Sequence, residues 1–260
     1  MLAKKLMGAG GNLAPPWSLG NSYDFGDNNS SKYFLLGSGW SGGNPDKWTF
    51  SAWVKLPPFS YSNKMLFTAG VDIDDYAYIQ INNTGRVLYF TGRAGGTDEY
   101  VYTTNSSQFT AGVWYHVVVA YDPTQSVTSA KCAIYINNSA VSTTVSSTPT
   151  TTYGYINENI VHAVGVRNRP GAGTDSYFRG KMADINFVDG EYLTPSAFAE
   201  DVGGVWTPKQ YTGSYGTTGF RLNFEDDTSA TTLGYDVSGN GHDATPYNIV
   251  TSDVSTDVPG

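Results

Sequence analysis

Cysteine is nearly absent from this chain of 260 residues, which carries a single one, Cys132. One thiol cannot form an intramolecular disulfide, and it cannot build a zinc cluster from cysteines. A chain of this length removes roughly 75% of its unfolded surface from water when it folds as one domain, so it needs no covalent cross-links. Cys132 shares an alternating apolar face with Ile134 and Ile136, and we expect it to be a small buried side chain.

Charge is also sparse. Charged residues make up 15% of the chain, the net charge is −8 and the isoelectric point is about 4.7. Such a chain lacks the Lys and Arg clusters that neutralise nucleic-acid phosphates or attract a protein to anionic membranes. No apolar run approaches the ~18 residues of a membrane span, and the apolar start at 1–11 breaks into glycine too early for a signal peptide. We therefore expect a soluble protein with no nucleic-acid and no membrane partner.

Runs of helix-favouring residues are almost missing, whereas aromatic residues and glycine are abundant. The chain has 19 Tyr, 12 Phe, 6 Trp and 30 Gly. Aromatic side chains suit a pleated, half-buried surface, and glycine supplies the turns between strands. The composition therefore indicates β structure.

Short strands recur along the chain from residue 21 onwards. Trp48–Leu56 alternates apolar and polar residues, whereas Val113–Tyr121 is apolar on both faces, as a strand covered on both sides should be. Asn137-Asn138 reads as a tight turn, and one helical turn is predicted at 194–200 with Thr194 as its cap. This pattern predicts an all-β fold, a two-sheet antiparallel sandwich. Further strands are predicted at 65–69, 76–81, 86–91, 130–137, 139–146, 160–167, 178–188 and 220–224.

The two ends of the chain differ from its middle. Residues 1–20 are rich in glycine, contain Pro15-Pro16 and show no periodicity, so we predict an extended N-terminal arm. Residues 251–260 are interpreted as a C-terminal tail, which leaves 21–250 as a single domain. We expect the arm to anchor the protein to partner proteins.

Several phrases of the sequence follow one another in the strand order of a known family. Together they resemble the concanavalin A-like, LamG-like domains over about 21–190, and the resemblance implies a jelly-roll arrangement of the two sheets. The phrases are Tyr23–Phe25, Trp48–Lys55, Gly112–Asp122, Ala133–Asn137 and Tyr177–Phe187.

The last third of the chain resembles a narrower group. The segments 204–224, 233–243 and 253–259 are similar to the tail of LamG-like virion proteins of tailed bacteriophages. In ordinary LamG domains the Asp-x-Ser-Gly-Asn-Gly phrase precedes the first strands, whereas here it comes last, which suggests that 204–250 closes the sandwich. The resemblance implies a location on the virion surface, other virion proteins as partners and a homo-oligomer.

The same fold also houses glycoside hydrolases, whose family phrase is Glu-x-Asp-x-Glu on one strand face. That phrase is absent here, and the acidic clusters 72–75, 98–99 and 225–227 fall at predicted turns or strand ends, where we expect them to be solvated. The three histidines are scattered, with no spacing typical of a metal pair. We predict that the protein is not an enzyme and has no catalytic residues and no organic cofactor.

Calcium is the one metal that the sequence suggests. Asp236, Ser238 and Asn240 place oxygen ligands at positions 1, 3 and 5 of a loop that ends in glycine, which resembles the first half of a calcium loop. Tyr247 stands where a bidentate Glu would complete it. The favoured alternative is a turn in which Asp236 and Asn240 bond to nearby backbone.

Tyrosine and tryptophan side chains are candidates for stacking on sugar rings, since an exposed aromatic face packs well against carbohydrate. Tyr76 and Tyr78 form one pair on a strand face, Tyr100 and Tyr102 form another, and Trp40 lies in a glycine-rich loop. The alternative, which we favour, is that these rings cover the outer face of a sheet or form a contact between subunits.

Three hypotheses of function follow. The first is a non-enzymatic structural protein of a tailed-bacteriophage virion, acting in capsid decoration, as a head fibre or as a tail appendage. The second is a carbohydrate-binding adhesin that recognises host surface glycans. The third and weakest is a glycoside hydrolase or lyase.

Overall fold

The computed structural model describes residues 17–27, 30–37, 40–58, 63–84, 86–147 and 154–260. These residues form an all-β structure, as predicted, in which the only helical elements are four 3₁₀ turns at Thr128–Ala130, Pro195–Ala197, Thr232–Gly234 and Thr251–Asp253. The first ten strands are β1 (Ser22–Asp24), β2 (Tyr33–Leu36), β3 (Trp48–Lys55), β4 (Lys64–Gly70), β5 (Tyr76–Ile81), β6 (Leu88–Ala94), β7 (Thr97–Thr104), β8 (Trp114–Tyr121), β9 (Cys132–Ile136) and β10 (Ser139–Ala140). The remaining strands are β11 (Thr143–Ser147), β12 (Val161–Val164), β13 (Arg167–Arg169), β14 (Gly173–Asp175), β15 (Lys181–Asp189), β16 (Ala199–Val202), β17 (Val205–Pro208), β18 (Phe220–Leu222), β19 (Thr245–Tyr247) and β20 (Val254–Ser255).

Two antiparallel sheets of eight strands each face one another across the described part of the chain. The first sheet has the order β10-β9-β8-β3-β15-β1-β20, and β18 pairs with β15 beside β1. The second sheet has the order β11-β7-β6-β5-β4-β12-β2-β19. The two-sheet sandwich predicted from the alternating pattern is therefore confirmed.

Between the sheets lies an aromatic core. Trp48, Phe50 and Val54 on β3 point into it from the first sheet, and Phe67 and Phe90 meet them from the second. The Phe50 and Phe67 rings stack with their centroids 5.4 Å apart. Cys132 is buried in this core as predicted, and burial raises the pKa of its thiol well above the usual range.

A third layer covers the outer face of the first sheet. Trp53, which broke the alternation of β3, packs there against Leu19, Ala183 and Ala199, with Trp206 at the edge of the cluster. The covering residues come mainly from 193–215. This segment includes the hairpin of β16 and β17, which forms a two-stranded sheet of its own. Because both of its faces are covered, the first sheet has central strands β3, β8 and β15 that are buried along most of their length, as the pattern of β8 predicted.

His116 lies in this covered face and is fully buried. Its Nε2 is 2.8 Å from Ser51 Oγ, and Trp206 Nε1 lies 3.2 Å from its Nδ1. An indole nitrogen can only donate, so Nδ1 accepts and the ring proton sits on Nε2, which donates to Ser51. His116 is therefore a neutral sheet residue with both ring nitrogens hydrogen-bonded.

Three local predictions were wrong. Residues 251–260 are not a tail, because β20 pairs with β1 and Ser22 Oγ donates to the Asp257 carbonyl. The Thr194 side chain makes no capping bond and instead contacts the Ser196 hydroxyl. The strand predicted at 139–146 divides, since β10 pairs with β9 for two residues and β11 then crosses to β7 in the second sheet.

Most of the predicted N-terminal arm lies outside the described residues. Its last part, from Trp17 to Gly20, packs on the sandwich, where Leu19 is buried beneath the third layer. Trp17 covers Arg221, whose guanidinium forms a buried ion pair with Asp184 at 2.7 Å. The predicted boundary at residue 20 therefore falls a few residues too late. None of the described helical turns is long enough or apolar enough to span a bilayer.

The C-terminal segment neutralises a pair of like charges. Lys55 and Lys181 stand directly opposite each other on β3 and β15, an arrangement that destabilises a sheet. Asp257 accepts a hydrogen bond from each lysine, at 2.8 and 2.9 Å, and one from Trp114 Nε1 at 3.1 Å. Burial alone would raise the pKa of Asp257, but these hydrogen bonds outweigh it and hold the pKa well below its usual range.

We predict that D257A lowers the free energy of unfolding by about 1–2 kcal/mol at neutral pH, since it leaves two facing ammonium groups without a counter-charge. Urea unfolding followed by tryptophan fluorescence measures this difference. E200A removes an exposed carboxylate of β16 and serves as the control, with an expected change within about 0.5 kcal/mol. Equal stability of the two variants would contradict the assigned role of Asp257.

A second prediction concerns acid. Burial lowers the pKa values of His116 and His162 to about 3, whereas an unfolded histidine titrates near ~6.5. Between these values the unfolded chain binds protons that the folded chain excludes, so stability is complete above pH ~6.5 and falls as the pH decreases. In this range each histidine lowers the free energy of unfolding by about 1.4 kcal/mol for every pH unit of acidification.

The slope is measured from urea unfolding at intervals between pH 7.5 and 4.5. H116Q should reduce it by one histidine's share, because glutamine does not titrate. S51A removes the partner hydroxyl without removing a titratable group, so it should lower stability and leave the slope unchanged. A stability that is constant between pH 7 and 5 would show that the two rings are not held neutral.

Candidate functional site

Most of the aromatic residues proposed for sugar stacking are buried. Tyr100 and Tyr102 have no exposed surface and face the core between the sheets, and Trp40 is 3% exposed. The spacing correctly placed each tyrosine pair on one strand face, but it did not say which face. For these three residues the prediction of an exposed stacking ring was wrong.

Trp40 is buried because its loop folds back over the end of the sandwich. Its ring stacks on His162 at 4.5 Å and contacts His242 at 5.3 Å. A side chain at Gly37, which has a φ of +58°, would overlap the indole. The glycine-rich stretch thus brings the backbone close to this ring and does not expose it.

Tyr76 and Tyr78 lie on the outer face of the second sheet. Their rings are 5.9 Å apart and nearly parallel. Tyr76 is 6% exposed because the Arg167 guanidinium covers its ring at 6.0 Å, and Tyr78 is half-buried. This pair therefore mainly covers the sheet, which is the alternative interpretation given above.

A different row of tyrosines is accessible. Tyr33 on β2 and Tyr247 on β19 face each other across the strand pair, and their rings stack at 4.6 Å with an angle of 4°. Tyr177 continues the row, with its ring 6.1 Å from that of Tyr33. Desolvation, followed by the neighbouring phenols, raises the pKa of Tyr33. We call Tyr177, Tyr33 and Tyr247 the tyrosine ledge.

The ledge is held at one end and open at the other. Arg179 lies over the Tyr177 ring at 5.6 Å, and the Tyr177 hydroxyl is 2.7 Å from Thr174 Oγ1. Tyr247 belongs to the last strand of the second sheet and keeps 40% of its surface exposed. Since one face of Tyr247 rests on Tyr33, its other face is directed past the sheet edge and is free for a ligand.

A groove of about 450 Å³ begins at Tyr247 and runs along β19 towards the end of the sandwich. Antiparallel strands rise about 3.4 Å per residue, so the path from Tyr247 to Asp243 measures roughly 14 Å. Apolar side chains form the floor, and polar groups stand at the far end. The residues that line it include Leu35, Trp40, Val161, His242, Asp243 and Thr245.

The polar end of the groove offers hydrogen-bond acceptors. Asp243 uses Oδ1 to accept from the Asp236 amide at 2.8 Å, and its Oδ2 has no partner among the described residues. His242 Nε2 lies 2.9 Å from the Thr217 carbonyl, which can only accept, so Nε2 is the donor and Nδ1 is the ring nitrogen left to accept. The exposed hydroxyl of Thr245 can accept or donate.

The predicted calcium loop forms the wall behind this end. Asp236 Oδ1 accepts from the amides of Arg221 and Ser238, and Oδ2 accepts from Ser238 Oγ and the His242 amide, all within 2.9 Å. Asn240 donates to the carbonyls of Gly216 and Gly219. A carboxylate with four protein donors has no lone pair left for a metal, so the geometry favours the turn over the calcium loop. Within the described ranges, no group of three acidic, His or Cys side chains is arranged to hold a metal ion.

No nucleophile or acid pair is visible in the described part of the chain. Ser51 and His116 are in contact, but the proton on Nε2 leaves that histidine unable to accept one from the serine. Asp72 and Asp75 accept hydrogen bonds within turns, and Asp98 pairs with Arg93 across β6 and β7. These acidic residues have structural roles at the surface.

The sequence carried no local signal for the tyrosine ledge. Tyr33 and Tyr247 lie near opposite ends of the chain, and only the pairing of β2 with β19 brings them together. The pairing depends on the C-terminal segment that was predicted to close the sandwich, so the segment was identified but its contacts were not.

Comparisons with known proteins agree with this architecture. The CBM40 domain of the IT-sialidase of Ruminococcus gnavus has 13% identity and a TM-score of 0.50, over 68% of this chain and 93% of that one. The intramolecular trans-sialidase of the leech has 16% identity and a TM-score of 0.50, over 68% of this chain and 26% of the enzyme. The pentraxin of Limulus polyphemus has 17% identity and a TM-score of 0.45, over 68% and 79%. At such identities the likeness to the first two structures shows the fold alone.

A search of curated proteins found no match. The family is shown instead by a sequence model. The family model described as the concanavalin A-like lectin/glucanases superfamily, of the laminin G type, matches residues 25–196, which is more than half of the chain. Its range begins within the aromatic segment next to β1 and ends in the helical turn that opens the third layer. The chain therefore belongs to the concanavalin A-like lectin/glucanases superfamily.

Proposed function

We propose that this protein is a non-enzymatic glycan-binding subunit, and that it holds sugar on the free face of Tyr247 and in the adjoining groove. The observation that carries the proposal is the parallel stack of Tyr247 on Tyr33 at an open sheet edge. A supported aromatic face binds the C–H face of a sugar, and polar groups at the end of a groove fix its orientation.

Two further features support binding without catalysis. The groove has one carboxylate, Asp243, among its described lining residues, whereas glycoside hydrolysis uses two that face each other across the bond. Carboxylates that are buried in the protein are engaged by its own donors. Asp189, for example, accepts hydrogen bonds from the Asn44 and Thr217 amides. Neither arrangement leaves an acid and a base free to act on a bound sugar.

We expect Y247A to weaken binding about tenfold, because loss of one stacking ring removes about 1.5 kcal/mol of binding free energy. A glycan array identifies a bound sugar, and isothermal titration then gives the dissociation constants. Y235A is the matched control, since Tyr235 is 43% exposed and does not line the groove. An unchanged affinity in Y247A would place the sugar elsewhere, and an array with no signal would overturn the proposal.

The biological setting we propose is the surface of a tailed-bacteriophage virion, with other virion proteins and copies of this chain as partners. The segments that resemble the tails of phage virion proteins supply β17, β18 and β20 and the groove residues Gly241, His242 and Asp243, so they are integral to the sandwich and to the groove. In this proposal the N-terminal arm attaches the subunit, and the jelly roll is displayed outwards.

Removal of residues 1–16 tests that setting. We expect the truncated protein to keep the melting temperature of the full chain, since residues 17–260 supply the packing described above, and to be lost from assembled particles. Antibody labelling of particles measures incorporation, and light scattering measures the oligomeric state. Incorporation of the truncated protein at the full level would contradict attachment through the arm.

A further inference from the structure

We infer that the groove selects neutral glycans and discriminates against acidic ones. This inference rests on the proposed glycan binding and assigns the chemical class of its ligand. It follows from the charge and the hydrogen-bonding polarity of the described residues that line the groove.

The groove carries negative charge and no cation. Asp243 is its one ionised side chain within the described part of the chain, and no Lys or Arg lines it. Two cations of the neighbouring surface are engaged elsewhere: Arg179 covers Tyr177 at the far end of the ledge, and Lys32 is paired with Asp253. A sugar carboxylate bound here would approach a like charge with no guanidinium or ammonium to neutralise it.

Most of the polar side-chain atoms also have the wrong polarity for an anion. Asp243 Oδ2 and His242 Nδ1 are placed to accept hydrogen bonds, and the Ser238 and His242 amides are already used by Asp236, which leaves the Thr245 hydroxyl as the side-chain group that can also donate. A carboxylate needs donors, whereas a sugar hydroxyl brings a proton of its own to an acceptor. The ligand that matches these acceptors is an uncharged sugar rich in hydroxyl groups.

Asp243 is the residue that sets this preference. Its side chain is exposed, and its Oδ1 accepts a hydrogen bond of 2.8 Å from the Asp236 amide, which holds the carboxylate in place. Substitution by asparagine keeps an oxygen that can accept from this amide, so D243N removes the charge without removing the turn. The charge of Asp243 thus acts as a specificity determinant for the ligand, separately from the hydrogen bond that its Oδ1 accepts in the turn.

The test uses matched neutral and acidic glycans, with lactose and 3′-sialyllactose as one pair on a larger array. We expect each bound neutral glycan to have a dissociation constant at least tenfold lower than its acidic partner at low salt. Equal or tighter binding of the acidic members would overturn this inference and leave glycan binding in place. An array with no binding of either class would overturn the proposed function itself.

The variants identify the charge responsible. D243N should reduce the ratio of acidic to neutral dissociation constants about threefold or more, because the repulsion is gone. D201N makes the same charge change on the β16–β17 hairpin, which covers the opposite sheet, and should leave the ratio unchanged. A ratio unaffected by D243N, or altered equally by D201N, would overturn the assignment to Asp243.

Discussion

The first sheet is buried on both of its faces, and the rest of the structure depends on covering it twice. The second sheet supplies one cover through the aromatic core. The other comes from the last third of the chain, where Phe198 and Tyr215 pack on Val118 and Val188. A strand such as β8, with valines on both sides, would otherwise leave a broad apolar surface in water. The need for a second cover explains why the family domain carries so long a C-terminal addition.

The same addition builds the candidate site. After β18 has paired with β15 in the first sheet, the chain turns through the Asp236 loop and reaches the second sheet as β19. Tyr247 arrives opposite Tyr33 by this route. Hydrophobic burial on one side of the molecule thus determines where an aromatic ring is exposed on the other, and the site is a product of the closing segment as much as of the jelly roll.

The fold was largely predictable from the sequence, because the period of two in β3 and the doubly apolar run in β8 each have one simple structural solution. The site was not. The positions Tyr100 and Tyr102 have the same spacing as Tyr76 and Tyr78, yet the first pair faces the core and the second faces outwards. Burial depends on which sheet face is covered, and that information lies in strand pairings between distant segments.

The carboxylates show a related division. Asp189, Asp236 and Asp257 each hold together separate segments of the chain, and both oxygens of each are occupied by protein donors. Buried or saturated acids of this kind maintain the architecture. Asp243 differs because one of its oxygens remains available, which makes an acidic residue informative about recognition only once its partners are known.

The saturated turn at Asp236 has a consequence for the thermodynamics of recognition. Association usually costs conformational entropy when a loop must become ordered around its ligand. Here the wall of the groove is already fixed by the bonds to Asp236 and by the two that Asn240 makes to Gly216 and Gly219. A ligand would therefore meet a preformed wall, and its binding would not incur the cost of ordering this loop.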